Sequence, residues 1–133
     1  MSAKVSPLLP LRFKQAAESW EFEAIARLNY KTFVEEIPQH SQNDQQQLID
    51  RFHEHNTYFI CLRGRSLIGM ITVRDTRPFS LDYKLGNLDA FLPEHHGLCE
   101  VRLLAVDREY RNGTVFRGLA ALLLRAVHLK RAG

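Results

Sequence analysis

The sequence predicts an α/β domain in which helices pack on a sheet. Three observations predict it. Residues 57–73 carry an aromatic and β-branched hairpin pattern, residues 98–106 are an apolar run of strand length, and helical apolar spacing flanks both. With 133 residues, 45% hydrophobic and 25% charged, the chain has material for one core, hence one domain over residues 1–133. That composition excludes a disordered tail, a collagen-like repeat and a disulfide-stapled miniprotein. No apolar run nears the roughly 20 residues that cross a bilayer. The first ten residues lack a signal-peptide core. A cytoplasmic protein without a membrane span is expected.

The elements follow in order. Leu11 and Phe13 alternate with Arg12 and Lys14, which predicts a first strand over residues 11–15. Ser19 can cap a helix running to about Glu35, with Phe22, Ile25, Ala26 and Phe33 on its apolar stripe and Pro38 beyond its end. Asn29 falls inside that stripe. A second, more polar helix is expected over residues 44–53. TYFICL at residues 57–62 turns at Arg63-Gly64-Arg65 and returns over residues 67–73, an antiparallel hairpin. Residues 74–93 are irregular, with one short helix near 81–85. The run LCEVRLLAV at residues 98–106 reads as a central strand buried on both faces and paired antiparallel with residues 67–73. A basic loop over residues 107–113 leads into a helix over 114–131. Its core stripe is expected on Phe116, Leu119, Ala120, Leu123 and Val127, with Arg117, Arg125 and His128 opposite.

Charge narrows the partners. Eighteen Lys and Arg against 15 Asp and Glu leave +3, which suits anionic small molecules at least as well as nucleic acid. The basic residues gather late, at Arg102, Arg108, Arg111, Arg117, Arg125, Lys130 and Arg131. They are either a solvated helix face that complements the helix dipole or anion-binding groups. No nucleic-acid partner is expected, because the helix carrying Arg117 is too apolar to expose. Cys61 and Cys99 lie in apolar runs and read as buried free thiols. His53 and His55 lack convincing ligand spacing, so no metal is expected. A buried strand feeding a helix through an Arg/Gly loop is a common way to hold phosphate, since amides and helix dipole both face the anion.

Residues 99–124, CEVRLLAVDREYRNGTVFRGLAALLL, resemble the acyl-CoA-binding motif of the GNAT acyltransferase superfamily. Val106, Asp107, Tyr110 and Arg111 match its Val-x-Pro/Asp-x-Tyr-Arg phrase, and Gly113 and Gly118 stand for its loop and helix-start glycines. Thr114-Val115-Phe116-Arg117 stand before Gly118, so the loop is expected to be lengthened or remodelled. Within the superfamily, Glu100-Val101-Arg102-Leu103-Leu104-Ala105-Val106 resembles the Glu-x-x-Arg-Phe-x-Val phrase of autoinducer (acyl-homoserine-lactone) synthases and long-chain N-acyl amino acid synthases. Tyr30-Lys31-Thr32-Phe33-Val34-Glu35-Glu36 resembles their first helix end, and residues 69–74 with 78–81 resemble their second hairpin strand and its exit. Asn29 stands where that branch has arginine. The superfamily fold goes on with a strand, a helix and a closing hairpin, whereas this chain stops at Gly133. A fragment, a truncated product or a half-site completed by another chain is therefore expected.

The resemblance implies a GNAT-like mixed, mostly antiparallel central sheet flanked by helices, truncated after the pyrophosphate-loop helix. It implies that amides of Gly113, Thr114, Val115 and Phe116, the cations Arg111 and Arg117, and Gly118 hold the CoA pyrophosphate. The backbone of Leu104, Ala105 and Val106 would pair with the pantetheine arm. Glu100 is the candidate general base, because a carboxylate on an apolar strand is costly unless used or paired. The alternative is a structural ion pair with Arg102 or Arg74. Arg102 either binds an acceptor carboxylate or steadies Glu100. His95 and His96 are proton shuttles or an exposed loop; Phe33, Phe79 and Phe91 line an acyl pocket or fill the core. Trp20 reads as core or helix-start packing.

The expected function is N-acyl transfer from acyl-CoA or acyl carrier protein to the amine of an amino acid or small molecule. The runners-up are a plain acetyl-CoA-dependent acetyltransferase and a non-catalytic acyl-CoA-binding remnant. No tightly bound cofactor is expected, only the acyl thioester as co-substrate. A homodimer can form by pairing of an exposed strand edge.

Overall fold

A computed structural model describes residues 9–92 and 98–132, with side chains through His128. Strands β1 (Leu11–Gln15), β2 (Thr57–Arg63), β3 (Ser66–Arg74) and β4 (Glu100–Val106) form one sheet in that order. Every pairing among them is antiparallel. Helix α1 (Ser19–Tyr30) covers one face, α3 (Thr114–Ala132) the other, and the short α2 (Ser80–Lys84) lies in the crossing from β3 to β4. This is the expected sheet flanked by helices.

Strand alternation builds the two halves of the core. Tyr58, Ile60 and Leu62 point to Ile25 and Leu28 of α1, while Phe59 and Cys61 point to Val115, Leu119 and Leu123 of α3. Both faces of β2 are therefore buried, and residues 58–62 between its ends are all hydrophobic. Ile60, Leu62, Ile68, Met70 and Leu119 are fully buried. Each such side chain stabilises the fold by about 1.5–3 kcal/mol. Gly64 turns the hairpin in the left-handed region at φ 62°. Gly118 has a different task. A Cβ there would sit 2.2 Å from the Phe13 ring of β1, so the missing side chain lets α3 lie close on the sheet.

Helix α1 starts one residue earlier than its expected cap: Glu18, not Ser19, stands at the cap position. Glu21 reaches back to accept from the N–H groups of Ala17 and Glu18 at 2.8 and 2.9 Å, satisfying two donors that helix geometry leaves free. The helix then widens into a π-helical turn, Lys31–Glu36, and ends where Ile37 turns extended before Pro38.

Four expectations are corrected. Residues 44–53 form no helix; they run as a strap, with only a 3-10 turn at His53–His55. The Asn43 side chain binds the backbone of Gln47 in both directions, a local competitor to helix bonds. The segment also has too few apolar residues to bury a helical face, and Ile49 is 63% exposed. Strand β4 is an edge, not a central strand: of its seven residues only Ala105 is buried, and Val101 is 51% exposed. On α3 the buried stripe is Val115, Leu119 and Leu123, one residue out of phase with the expectation at its start, so Phe116 faces outward at 47% exposure. Arg117, Arg125 and His128 are exposed, on the side away from the core. Cys61 is buried as expected, but Cys99 is exposed.

Candidate functional site

The outer end of β4, the π-helical turn after α1 and the start of α3 border a cleft with a cavity volume of about 420 Å³. Leu104, Ala105, Val106, Arg111, Gly113 and Phe116, all expected at a donor site, line it. Thr32, Glu36, Ile37 and Tyr110 line it as well, without having been expected there. Glu36 lies inside the Val-Glu-Glu phrase and Tyr110 beside Arg111, but the partners they meet are distant in sequence. Leu104, Ile37 and Phe116 are exposed apolar side chains gathered at this cleft.

Local chemistry explains how the loop is held. The Asp107 carboxylate accepts from the Glu109 N–H at 3.0 Å, which starts the 3-10 turn Arg108–Tyr110. Gly113 adopts φ 97°, a left-handed conformation that redirects the chain into α3. The Asn112 side chain accepts from the Thr114 N–H at 3.2 Å and caps the helix start. Arg111 donates from Nε to the Val106 carbonyl at 2.8 Å and pairs through Nη2 with Glu36 Oε2 at 2.6 Å. Tyr110 takes a 3.3 Å hydrogen bond from Arg63 of β2. The loop is thus tied to the sheet and to the π-helical turn after α1.

Not all expected site residues join the cleft. The Val115 side chain is buried in the core, and Gly118 packs on Phe13. Arg117 is exposed beside Gly113 and Thr114 is exposed at the helix start. Glu100 and Arg102 sit at the other end of β4. Glu100 accepts from Ser80 N–H at 2.9 Å, Ser80 Oγ at 2.8 Å and Leu81 N–H at 3.2 Å, so it anchors the start of α2. Arg102 Nε lies 3.4 Å from Glu100, and its Nη1 pairs more closely with Asp50 of the strap. Between the cleft and Glu100 the register of β3 and β4 shifts at Thr72/Val73, a bulge that leaves Arg102 without a partner residue in the ladder.

Phe52 gathers three guanidinium groups, with the Arg51, Arg74 and Arg102 carbons 4.6, 4.3 and 4.7 Å from its ring centre. Burial pushes the Cys61 thiol up to about 11, which makes it inert at neutral pH. Phe79 is buried, Phe33 packs on the core, and Phe91 is 72% exposed, so none of the three lines the cleft. Trp20 packs at the start of α1, where it donates to Glu18. His95 and His96 lie outside the described residues.

Residues 28–121, well over half of the chain, match the sequence profile of the acetyltransferase (GNAT) domain. The chain belongs to that family. It is an acyltransferase in that family's general sense, and such enzymes use acyl-CoA as co-substrate. No curated protein and no solved structure matches it. No helix among the described residues is long and apolar enough to cross a membrane.

Proposed function

We propose that this domain is an N-acyltransferase that moves an acyl group from acyl-CoA, or from acyl carrier protein, to the amine of an amino acid or small molecule. The observation that carries the reading is the 420 Å³ cleft, where the outer edge of β4 meets the start of α3. Backbone groups of Leu104 to Val106 pair with the pantetheine arm as a neighbouring strand would. First-turn amides of α3 at Val115 and Phe116 face the pyrophosphate, where the helix dipole favours negative charge. Arg111 exchanges Glu36 for phosphate, and Arg117 stands beside it. The three exposed apolar side chains of the cleft suit a chain longer than acetyl, as in the long-chain N-acyl amino acid synthases that the sequence resembles.

Phosphate at the loop sends an extended arm back along β4, towards the bulge and Glu100. The amine nitrogen attacks the thioester carbonyl carbon, the C–S bond breaks, and the thiolate leaves with its electron pair. Glu100 takes the amine proton directly or through water. An amide near the bulge stabilises the developing oxyanion. Glu100 must first release the start of α2. A second reading, an acyl-thioester-binding domain without turnover, draws support from the three donors that already occupy this carboxylate.

The test is mass spectrometry of the purified protein with acyl-CoA donors from acetyl to dodecanoyl and a panel of amines and amino acids. An N-acyl product is expected. Thioester binding without any amide selects the binding-domain reading.

A further inference from the structure

A second cavity, of about 130 Å³, lies between α1 and the strap. Its volume is that of about four liquid waters, room for a few heavy atoms. Phe22, Ile25 and Tyr58 give it apolar and aromatic walls. The polar groups that reach it are Asn29, Gln47, Asp50, His53 and, at the exposed rim, Glu23. No lysine or arginine among the described residues lines it.

Two of its acceptors are unspent. Asn29 is 1% exposed, and its Oδ1 has no hydrogen-bond partner among the described residues. A buried acceptor left unpaired is destabilising, and a ligand donor relieves it. Asp50 takes all its hydrogen bonds on Oδ2, from the Phe52 N–H, Asn56 Nδ2 and Arg102 Nη1, which leaves Oδ1 free of partners among the described residues. His53 spends Nδ1 on the Tyr58 hydroxyl at 2.9 Å, and the Phe22 and Tyr58 rings meet edge to face. Acceptors, a carboxylate and aromatic faces, with no cation in the wall, form the surroundings an ammonium group prefers.

We propose that this cavity binds the ammonium group of a small aliphatic amine. An amino acid fits it poorly. Arg102, the cation nearest through Asp50, is held by Asp50 and Glu100, so an α-carboxylate finds amide donors at Asn29 and Gln47 but no ion partner in the lining among the described residues. As a cation site the cavity stands by itself; as the acceptor's site it rests on the acyltransferase reading and narrows the acceptor to simple amines.

Calorimetric titration of the 133-residue chain with n-propylammonium, 1-propanol, propionate and glycine tests this, with no thioester present. Propylammonium is expected to bind at least tenfold more tightly than the other three. Asn29→Leu keeps the side-chain bulk and removes the acceptor. It should weaken propylammonium binding tenfold or more with no loss in melting temperature. Glu23→Gln, on an exposed residue, should weaken it two- to fivefold in a folded protein. Equal binding of propanol or glycine, or affinity unchanged in Asn29→Leu, overturns the proposal. Amine binding with no later acyl transfer would instead remove the acyltransferase reading and leave the cation site.

Discussion

Arg111 and Glu36 form a salt bridge across the mouth of the cleft, Nη2 to Oε2 at 2.6 Å, joining the loop after β4 to the π-helical turn after α1. The cation best placed to meet a phosphate is therefore already paired. Arg111→Ala should weaken CoA binding by about 1.5–3 kcal/mol, the range of a charge-assisted hydrogen bond. Glu36→Gln should tighten it by roughly threefold or more, because a competing anion has gone. Calorimetry with CoA on both variants checks the pair. Weaker binding in Glu36→Gln would mean that Glu36 positions Arg111 and does not compete for it.

Glu100 separates chemistry from architecture. In Glu100→Gln the start of α2 loses a charged acceptor, and about 1–2 kcal/mol of stability should go with it. As a general base it should also slow the chemical step about 10²–10⁴-fold while donor affinity holds. Melting curves and single-turnover rates on the same preparation read both effects. Lowered melting with turnover intact per folded molecule would leave Glu100 an anchor only.

Acid sensitivity should begin at α1. Burial by itself pushes the Glu21 carboxyl up, but the Ala17 N–H, the Lys14 ammonium at 2.7 Å and the Glu18 N–H outweigh it and hold it below 4.5. A carboxyl depressed in the folded state adds stability above its unfolded value, and that stability is lost as pH falls through the folded one. Stability should therefore drop below about pH 4.5. Glu21→Gln should lower the melting temperature at pH 7 and flatten this acid limb. A limb as steep in Glu21→Gln as in the native chain would place the titrating group elsewhere.

Gly118→Ala sets two effects against each other. Alanine favours helix by up to about 1 kcal/mol, but its methyl would overlap the Phe13 ring. Overpacking of this kind costs about 1–3 kcal/mol, so a net loss of stability is expected. Phe13→Leu in the same chain should restore part of it. Full stability with impaired CoA binding would place Gly118 in the phosphate loop.

How much of this was legible in the sequence depended on whether the evidence was local. The hairpin, β1 and the start of α3 carry their own alternation or turn residues, and they stand where the pattern puts them. The apolar run of β4 could not reveal that β3 covers only one of its edges, since pattern records hydrophobicity and not neighbours. A glutamine-rich stretch at 45–47 reads as helix by propensity, yet Asn43 and a scarcity of apolar residues decide for a strap. Val115 and Phe116 are both apolar, so the phase of the buried stripe on α3 was open by one residue. Glu36 and Thr32 entered the cleft only through the fold, because their partners lie far along the chain.

The most direct measurement of the central claim is amide formation by the native chain and by Leu104→Arg, which puts a charged side chain on the cleft-lining edge of β4 where the pantetheine arm is placed. Leu104 is 41% exposed, so the fold should tolerate the change. With acyl-CoA and a simple amine, mass spectrometry should show N-acyl product from the native chain, and a loss of tenfold or more in Leu104→Arg at unchanged melting temperature. Product at the same rate in both proteins, or none above the protein-free reaction in either, would contradict the account.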